Sequence, residues 1–137
     1  MKIANKVKEY KRASHLVYSC QYHVIFCPKY RRKILKDGLD EIVKQSFEDT
    51  AKKRGFDIIE MEIMPDHVHL LIDCNPRYGI MNAVKQLKWN SIIPMREFMP
   101  SLKTRIPNIW TRSAFISSVG SVSLETVRDY IANQKGV

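Results

Sequence analysis

The sequence predicts an α+β fold in which helices pack on an antiparallel sheet. Segments 56–64 and 67–74 are rich in β-branched and other apolar residues and are separated by a Pro-Asp turn, which is typical of a hairpin. Segment 39–54 places its apolar residues at helical spacing. Hydrophobic residues make up 45% of the 137-residue chain, which is enough for a core in a domain of this length.

The first half of the chain then contains a strand, a helix and the hairpin. The stretch HLVYSCQYHVIFC at 15–27 alternates and carries aromatic and β-branched residues, so it predicts a long strand. Pro28 helps to end the pairing of this strand. The helix at 39–54 ends at Gly55, a residue common at helix C-termini.

The second half predicts a helix, a loop, a strand and a final helix. An apolar stripe indicates the second helix over roughly 80–98, although Pro94 predicts a kink or an early end. A basic loop with two prolines leads to a short strand at 113–120. Ser123 is a good N-cap for a last helix that continues to about Gln134.

The predicted order is β-α-β-β-α-β-α, which is the split βαβ or ferredoxin-like plan with an added C-terminal helix. No repeat or linker divides the chain, so we expect one domain over residues 1–137. An antiparallel sheet of this kind leaves one face open to bind something. The same plan serves RNA-recognition modules and many non-catalytic proteins, so topology alone does not decide function.

The charge of the chain predicts a polyanionic partner. The chain has 23 Lys and Arg against 14 Asp and Glu, a net charge of +9. Basic residues dominate 1–36 and 74–124, whereas acidic residues dominate 37–73. Two basic blocks on one face could follow the phosphates of a nucleic acid. An anionic membrane fits less well, because we find no basic helix with an opposing Trp/Phe/Leu face.

The same composition predicts a cytoplasmic protein. No run of eighteen apolar residues is present, and the N-terminal segment lacks the apolar core of a signal peptide. The three cysteines have no CxxC spacing, so we expect free, at least partly buried thiols in a reducing compartment.

The stretch MPDHVHLLID contains two histidines at a spacing that suits metal binding. On a strand, His67 and His69 point to the same side about 7 Å apart at Cα, so their rings can converge on one ion. Three familiar HxH chemistries fail on inspection, because Leu71, Ile72 and His69 occupy positions that their motifs assign to other residues. A third ligand would have to come from elsewhere. The alternative is a pair of polar residues on a solvated strand face.

The last helix pairs a tyrosine with a glutamine. Tyr130 and Gln134 are four residues apart, hence on one helix face about 5–6 Å apart at Cβ. A tyrosine can act as a nucleophile, and a glutamine carbonyl can ligate a hard cation. From this helix alone we prefer the plainer interpretation, in which Tyr130 packs on the core and Gln134 is solvated.

Taken together, these elements resemble one family. YHVIFCP followed by KYRR, HVHLL after MPD, LK, IW, SVG and YIANQ occur in the order of the single-tyrosine HUH transposases of bacterial and archaeal insertion sequences, which move single-stranded DNA. The resemblance covers about residues 15 to 134. The HUH motif consists of a histidine, a bulky apolar residue and a histidine, here residues 67–69. The motif alone is common, but together with YHxxxxPKYRR and YIxxQ it is specific to this family.

The resemblance implies roles for four residues. His67 and His69 would bind a divalent cation, Mg²⁺ or Mn²⁺, with Gln134 as the third protein ligand. Tyr130 would attack a DNA phosphate and form a 5′-phosphotyrosine. Two imidazoles and one carbonyl leave positions open for a phosphate oxygen. The phosphotyrosine intermediate would conserve the energy of the phosphodiester bond, so no nucleotide cofactor is expected. The sequence also has no Gly-rich phosphate loop.

The resemblance also implies a partner and an assembly. We expect single-stranded DNA with hairpin ends, and a homodimer in which two protomers merge their sheets. Its active sites would often be composite, with the histidines from one subunit and the tyrosine helix from the other. The residues proposed to contact DNA through phosphates or, for tyrosine, by stacking on bases are Lys29, Tyr30, Arg31, Arg32, Lys33, Lys85 and Lys88.

Two departures from the family pattern bear on DNA positioning. Trp89 and Asn90 follow Lys88, where a small residue is usual, and Ser113 and Ala114 stand where an aromatic after glycine is common. Neither departure touches the four proposed site residues. Two alternative functions stay open: a domesticated relative that cleaves single-stranded DNA at repeats, and a non-catalytic nucleic-acid-binding module.

Overall fold

The structure is a computed structural model that describes residues 11–105, 108–119 and 124–136. Ser123, predicted above as a helix cap, lies outside these ranges. Across the three ranges, no helix combines the length and the apolar character that crossing a bilayer requires.

The main sheet has four antiparallel strands and confirms the predicted α+β class. Its strands are β3 (Gln21–Phe26), β4 (Asp57–Met64), β5 (His67–Asp73) and β6 (Phe115–Ser118), and their order across the sheet is β4-β5-β3-β6. The two central strands are therefore β5 and β3. Because β5 carries the histidine pair, that pair lies in the middle of the sheet.

Within the described ranges, four helices accompany the sheet. They are α1 (Leu39–Arg54), α2 (Ile80–Phe98), the single turn α3 (Leu102–Arg105) and α4 (Leu124–Ala132). The bounds predicted for the first two are confirmed. Gly55 ends α1 in the left-handed conformation, at φ 80°, which glycine adopts without a Cβ penalty.

The two faces of the sheet have different surroundings. Alternate residues such as Phe26 and Leu70 point to α1 and α2 and form the main core. There the Trp110 and Phe26 rings pack in a T-shaped arrangement with centroids 5.0 Å apart. The opposite face carries His67 and His69, and we call it the histidine face.

A smaller apolar cluster covers part of the histidine face. It consists of Ile25 of β3 and Ile131 of α4, with Phe115 and Tyr130 packed against them. Ile25 is the register partner of His69. This cluster places the helix that carries the tyrosine on the same sheet face as the histidines.

The long first strand predicted at 15–27 is interrupted. The chain first forms a hairpin of β1 (Lys11–Ala13) and β2 (Leu16–Tyr18), whose turn holds His15 at φ 58°. It then leaves strand geometry before β3. The reason is local pairing, because β2 pairs with β1 and β3 pairs with β5.

Of the two outcomes predicted at Pro94, a kink or an early end, the early end does not occur, because α2 continues to Phe98. A proline cannot donate to the carbonyl four residues before it, which here belongs to Asn90. The Ser46 hydroxyl of α1 donates to that carbonyl at 3.2 Å. The neighbouring helix thus satisfies the acceptor that the proline leaves open.

The C-terminal half differs from the prediction only in detail. The strand predicted at 113–120 is shorter, the basic loop before it contains α3, and α4 passes into a 3-10 turn at Asn133–Gly136.

All three cysteines are free thiols. Cys27 and Cys74 are buried, and Cys20 is half-buried.

Candidate active site

His67 is held in place by its neighbour in the chain. Its Nδ1 lies 2.8 Å from Asp66 Oδ1. Burial works to raise the pKa of Asp66, but hydrogen bonds from His67 and Arg31 outweigh it and the pKa is lowered. The carboxylate therefore accepts the Nδ1 proton, and the lone pair of His67 is on Nε2.

The Nε2 atom of His67 is buried and has no hydrogen-bond partner in the described structure. An unpartnered buried nitrogen is unfavourable unless it has a ligand. Imidazole oriented by a carboxylate is also the usual arrangement at metal sites. The residues present thus fit a divalent cation at this atom.

His69 is paired with a third histidine. Its ring stacks on His23 with centroids 5.5 Å apart and an interplanar angle of 20°, and His69 Nε2 lies 3.3 Å from His23 Nδ1. Burial lowers the pKa of His69 to about 4. His69 is therefore neutral at neutral pH, which is the form that binds metals.

Three or more His, Cys, Asp or Glu side chains arranged to hold a metal do not occur together in the described parts of the chain. A cation at the histidine pair would therefore need a ligand of another kind, such as an amide carbonyl. Glu62 is the register partner of His69 on β4, and it lines a shallow groove with Glu60 beside that histidine.

The tyrosine and the glutamine meet at a serine. The Tyr130 hydroxyl donates to Ser113 Oγ at 3.3 Å, and the Ser113 hydroxyl donates to Gln134 Oε1 at 3.1 Å. Gln134 is only 7% exposed, so the interpretation that it is solvated is wrong. Burial raises the pKa of Tyr130, against a hydrogen bond with Ser113 that lowers it, so the phenol is protonated at neutral pH.

Arg31 connects the tyrosine helix to the histidine strand. Its Nε lies 2.7 Å from Asp66 Oδ2, and its Nη1 donates to the Ile131 carbonyl at 3.2 Å. No hydrogen bond in the described ranges joins the histidine pair directly to Tyr130 or Gln134. The two halves of the candidate site are brought to one sheet face and linked through Arg31.

The other predicted DNA-binding residues lie in different environments. Lys29 and Lys85 line a cleft with Trp89 and Arg112, between α2 and the segment before β6. Tyr30, Arg32 and Lys33 are exposed in the turn after β3.

Lys88 has an internal role as well as a place in the cleft. Its ammonium donates to the carbonyls of Thr111 and Ser113, at 2.8 and 2.9 Å, and lies 5.1 Å from the centre of the Phe26 ring. Burial lowers the pKa of Lys88 to about 8. The lysine thereby fixes the segment that presents Ser113 to the tyrosine.

Sequence reasoning missed three residues of this site. His23 follows the same alternation as Ile25, but its nearness to His69 depends on the register of β3 and β5. The sequence marks Asp66 only as part of a turn, although a carboxylate beside a metal-type histidine is itself a signal. Ser113 stands out in the sequence only as a departure from a family pattern.

Comparisons with known proteins decide the family. Residues 16–134 match the family model for IS200-like transposases. The chain is 36% identical to the ISDra2 transposase TnpA of Deinococcus radiodurans over 128 residues, which is 92% of this chain and 91% of that protein. This chain belongs to the IS200-like transposase family. The resemblance inferred from the motifs is confirmed, and the family comprises DNA-processing enzymes of transposition.

Other members and solved structures agree. The transposase for insertion sequence element IS200 of Salmonella typhimurium is 28% identical over 90% of this chain and 82% of that protein. A crystal structure assigned to a Deinococcus radiodurans R1 transposase matches with a TM-score of 0.83 and 33% identity, over 90% of this chain and 97% of the other. A REP-associated tyrosine transposase bound to a REP hairpin matches with a TM-score of 0.56 over 96% of this chain and 68% of the other. At 11% identity that last match shows a shared fold only.

Proposed function

We propose that this IS200-like family member cleaves and rejoins single-stranded DNA at insertion-sequence ends through a 5′-phosphotyrosine on Tyr130. One observation carries the proposal. Tyr130 and Gln134 are joined through Ser113 on the sheet face where His67 presents a buried, unpartnered Nε2. A nucleophile, an amide carbonyl and two imidazoles are what a metal-assisted attack on a phosphodiester needs.

The bonds that change are few. The Tyr130 phenolic oxygen bonds to the phosphorus, and the bond from phosphorus to the 3′ oxygen breaks. The phenolic proton leaves to solvent, and the departing 3′ oxygen takes up a proton. Attack by a 3′-OH on the phosphotyrosine then reverses these changes and releases the tyrosine. One phosphodiester is exchanged for another, so no nucleotide cofactor is required.

The protein residues that would hold Mg²⁺ or Mn²⁺ are His67, His69 and Gln134. Such a cation supplies positive charge that polarises the phosphate and stabilises the leaving 3′ oxygen. His67 is already oriented by Asp66, and His69 is kept neutral by burial. The carbonyl of Gln134 accepts from Ser113 and has a second lone pair for a ligand.

The proposed substrate is single-stranded DNA with hairpin ends, bound by a homodimer in the cytoplasm. Lys29 and Lys85 in the cleft, with exposed Arg32 and Lys33, supply cations for backbone phosphates. Exposed Tyr30 supplies a ring for stacking on an unpaired base. In the described sheet β4 and β6 are edge strands, which suits the merging of two sheets in a homodimer.

The decisive experiment mixes the purified chain with labelled single strands from the DNA that flanks its gene, with Mn²⁺ or with EDTA. Denaturing gels reveal a covalent protein–DNA adduct. We expect an adduct only with metal, lost in Tyr130→Phe and kept in Tyr22→Phe, which removes the hydroxyl of a tyrosine packed on the main core instead. Tight binding without an adduct on either flank would favour the non-catalytic binding module.

A further inference from the structure

The turn that follows β3 has an unusual backbone. Lys29–Arg31 form a 3-10 turn in which Tyr30 and Arg31 both have positive φ, at 61° and 52°. Residues with a Cβ rarely adopt this left-handed conformation, and it persists where surrounding contacts hold it. Two such residues in succession indicate that this turn serves to orient a side chain.

That side chain is Arg31. It is 17% exposed, whereas its neighbours Arg32 and Lys33 are exposed to solvent. Its Nε binds Asp66 Oδ2 at 2.7 Å and its Nη1 donates to the Ile131 carbonyl at 3.2 Å. Both contacts join segments distant in the chain, so the guanidinium acts as an internal bridge.

The two ends of this bridge lie next to the two halves of the candidate site. Ile131 directly follows Tyr130, and its carbonyl belongs to the last turn of α4. Asp66 directly precedes His67, and its other oxygen holds His67 Nδ1. One planar cation therefore contacts both the tyrosine helix and the carboxylate that orients a metal-type histidine.

We propose that Arg31 is a positioning residue that docks the tyrosine helix on the histidine strand. Its consequence for DNA cleavage rests on the proposed function, but the docking itself does not. A guanidinium can serve both acceptors because its donors have a fixed fork geometry, which a lysine ammonium lacks. The resemblance predicts that Arg31, like Arg32, contacts DNA, and the internal bridge is a further role for Arg31.

The test compares Arg31→Ala with Arg32→Ala, which removes the same charge one residue away. Hydrogen exchange of the full chain, without metal or DNA, reports on docking. We expect amides of 124–136 to exchange at least about tenfold faster in Arg31→Ala and to be unchanged in Arg32→Ala. The amides of β3 serve as an internal reference for global folding. If Arg31→Ala loosens β3 as well, Arg31→Lys is used, and faster exchange of 124–136 with an intact β3 is again expected.

Mn²⁺ affinity, measured by electron paramagnetic resonance without DNA, gives a second readout. Loss of the partner of Asp66 should weaken Mn²⁺ binding about tenfold in Arg31→Ala, with little change in Arg32→Ala. Unchanged protection of 124–136 in both Arg31 variants would overturn the inference. Failure of the wild-type chain to form a DNA adduct would instead overturn the proposed function and leave the exchange result valid.

Discussion

The Tyr130 hydroxyl and Ser113 Oγ lie 3.3 Å apart, although 17 residues separate them in the chain. Ser113 in turn donates to Gln134, so a single hydroxyl holds both functional groups of the tyrosine helix. The position that departs from the family pattern is therefore inside the candidate site.

Ser113→Ala should slow adduct formation without abolishing it. The variant removes the acceptor for Tyr130 and the donor to Gln134, and each lost positioning hydrogen bond corresponds to about 0.5–1.5 kcal/mol, or roughly 2–10-fold in rate. Single-turnover adduct formation measures this. Ser113→Thr keeps a hydroxyl and should retain most of the rate. Equal rates for wild type and Ser113→Ala would show that the contact does not contribute.

Trp89→Ala should weaken binding of single-stranded DNA. Trp89 is 71% exposed and lines the cleft with Lys29 and Lys85, where its ring can stack on a base. We expect a loss of about 1–3 kcal/mol in binding free energy, measured by fluorescence anisotropy at fixed salt. Ile93→Ala is the control, because Ile93 is similarly exposed one turn further along α2. Equal losses in both variants would contradict a specific role for the ring.

Lys88→Met should remove a pH dependence of stability in the alkaline range. The pKa of Lys88 is about 8 in the folded chain and 10.5 in the unfolded chain. Between these two pH values the unfolded state binds more protons than the folded state. Lys88 therefore makes the free energy of unfolding rise with pH, and this contribution is lost as pH falls through about 8. Urea unfolding of both proteins across this window measures the effect, because groups that do not interact with Lys88 cancel in the difference. Parallel curves would be the contrary result.

Gly38→Ala should destabilise the fold more than Gly55→Ala. Both glycines have positive φ, at 99° and 80°, so each alanine incurs a left-handed penalty of roughly 1–2 kcal/mol. A Cβ on Gly38 would also lie 2.6 Å from Cζ of Phe98, whereas nothing lies within 4 Å at Gly55. The free energy of unfolding measures both. Adding Phe98→Ala should recover part of the loss in Gly38→Ala only.

Local patterns predicted the elements but not the contacts between them. The helix at 39–54 has a regular apolar period and a terminal glycine, so its bounds follow from the sequence. The continuation of α2 through Pro94 does not, because it depends on Ser46 of another helix. Sequence rules for proline describe an isolated helix, and a packed neighbour changes the outcome.

The same limit applies to the site. The motif singles out His67 and Tyr130, the proposed metal ligand and the proposed nucleophile, because a family pattern records residues at fixed positions in the sequence. Arg31 reads as one more cation in a basic run, and only the left-handed turn reveals that it points inward. Ser113 and His23 act across the sheet, at distances set by register and helix placement rather than by spacing in the sequence.

The order of the strands places acidic and basic residues on opposite sides of the candidate site. At one side of the sheet, β4 presents Glu60 and Glu62 beside His69. On the side of β6 lies the cleft that Lys29, Lys85 and Arg112 line. A polyanion is attracted to the second side. We therefore expect a DNA strand to approach the histidines from the side of β6, so that the strand order itself sets the side of entry.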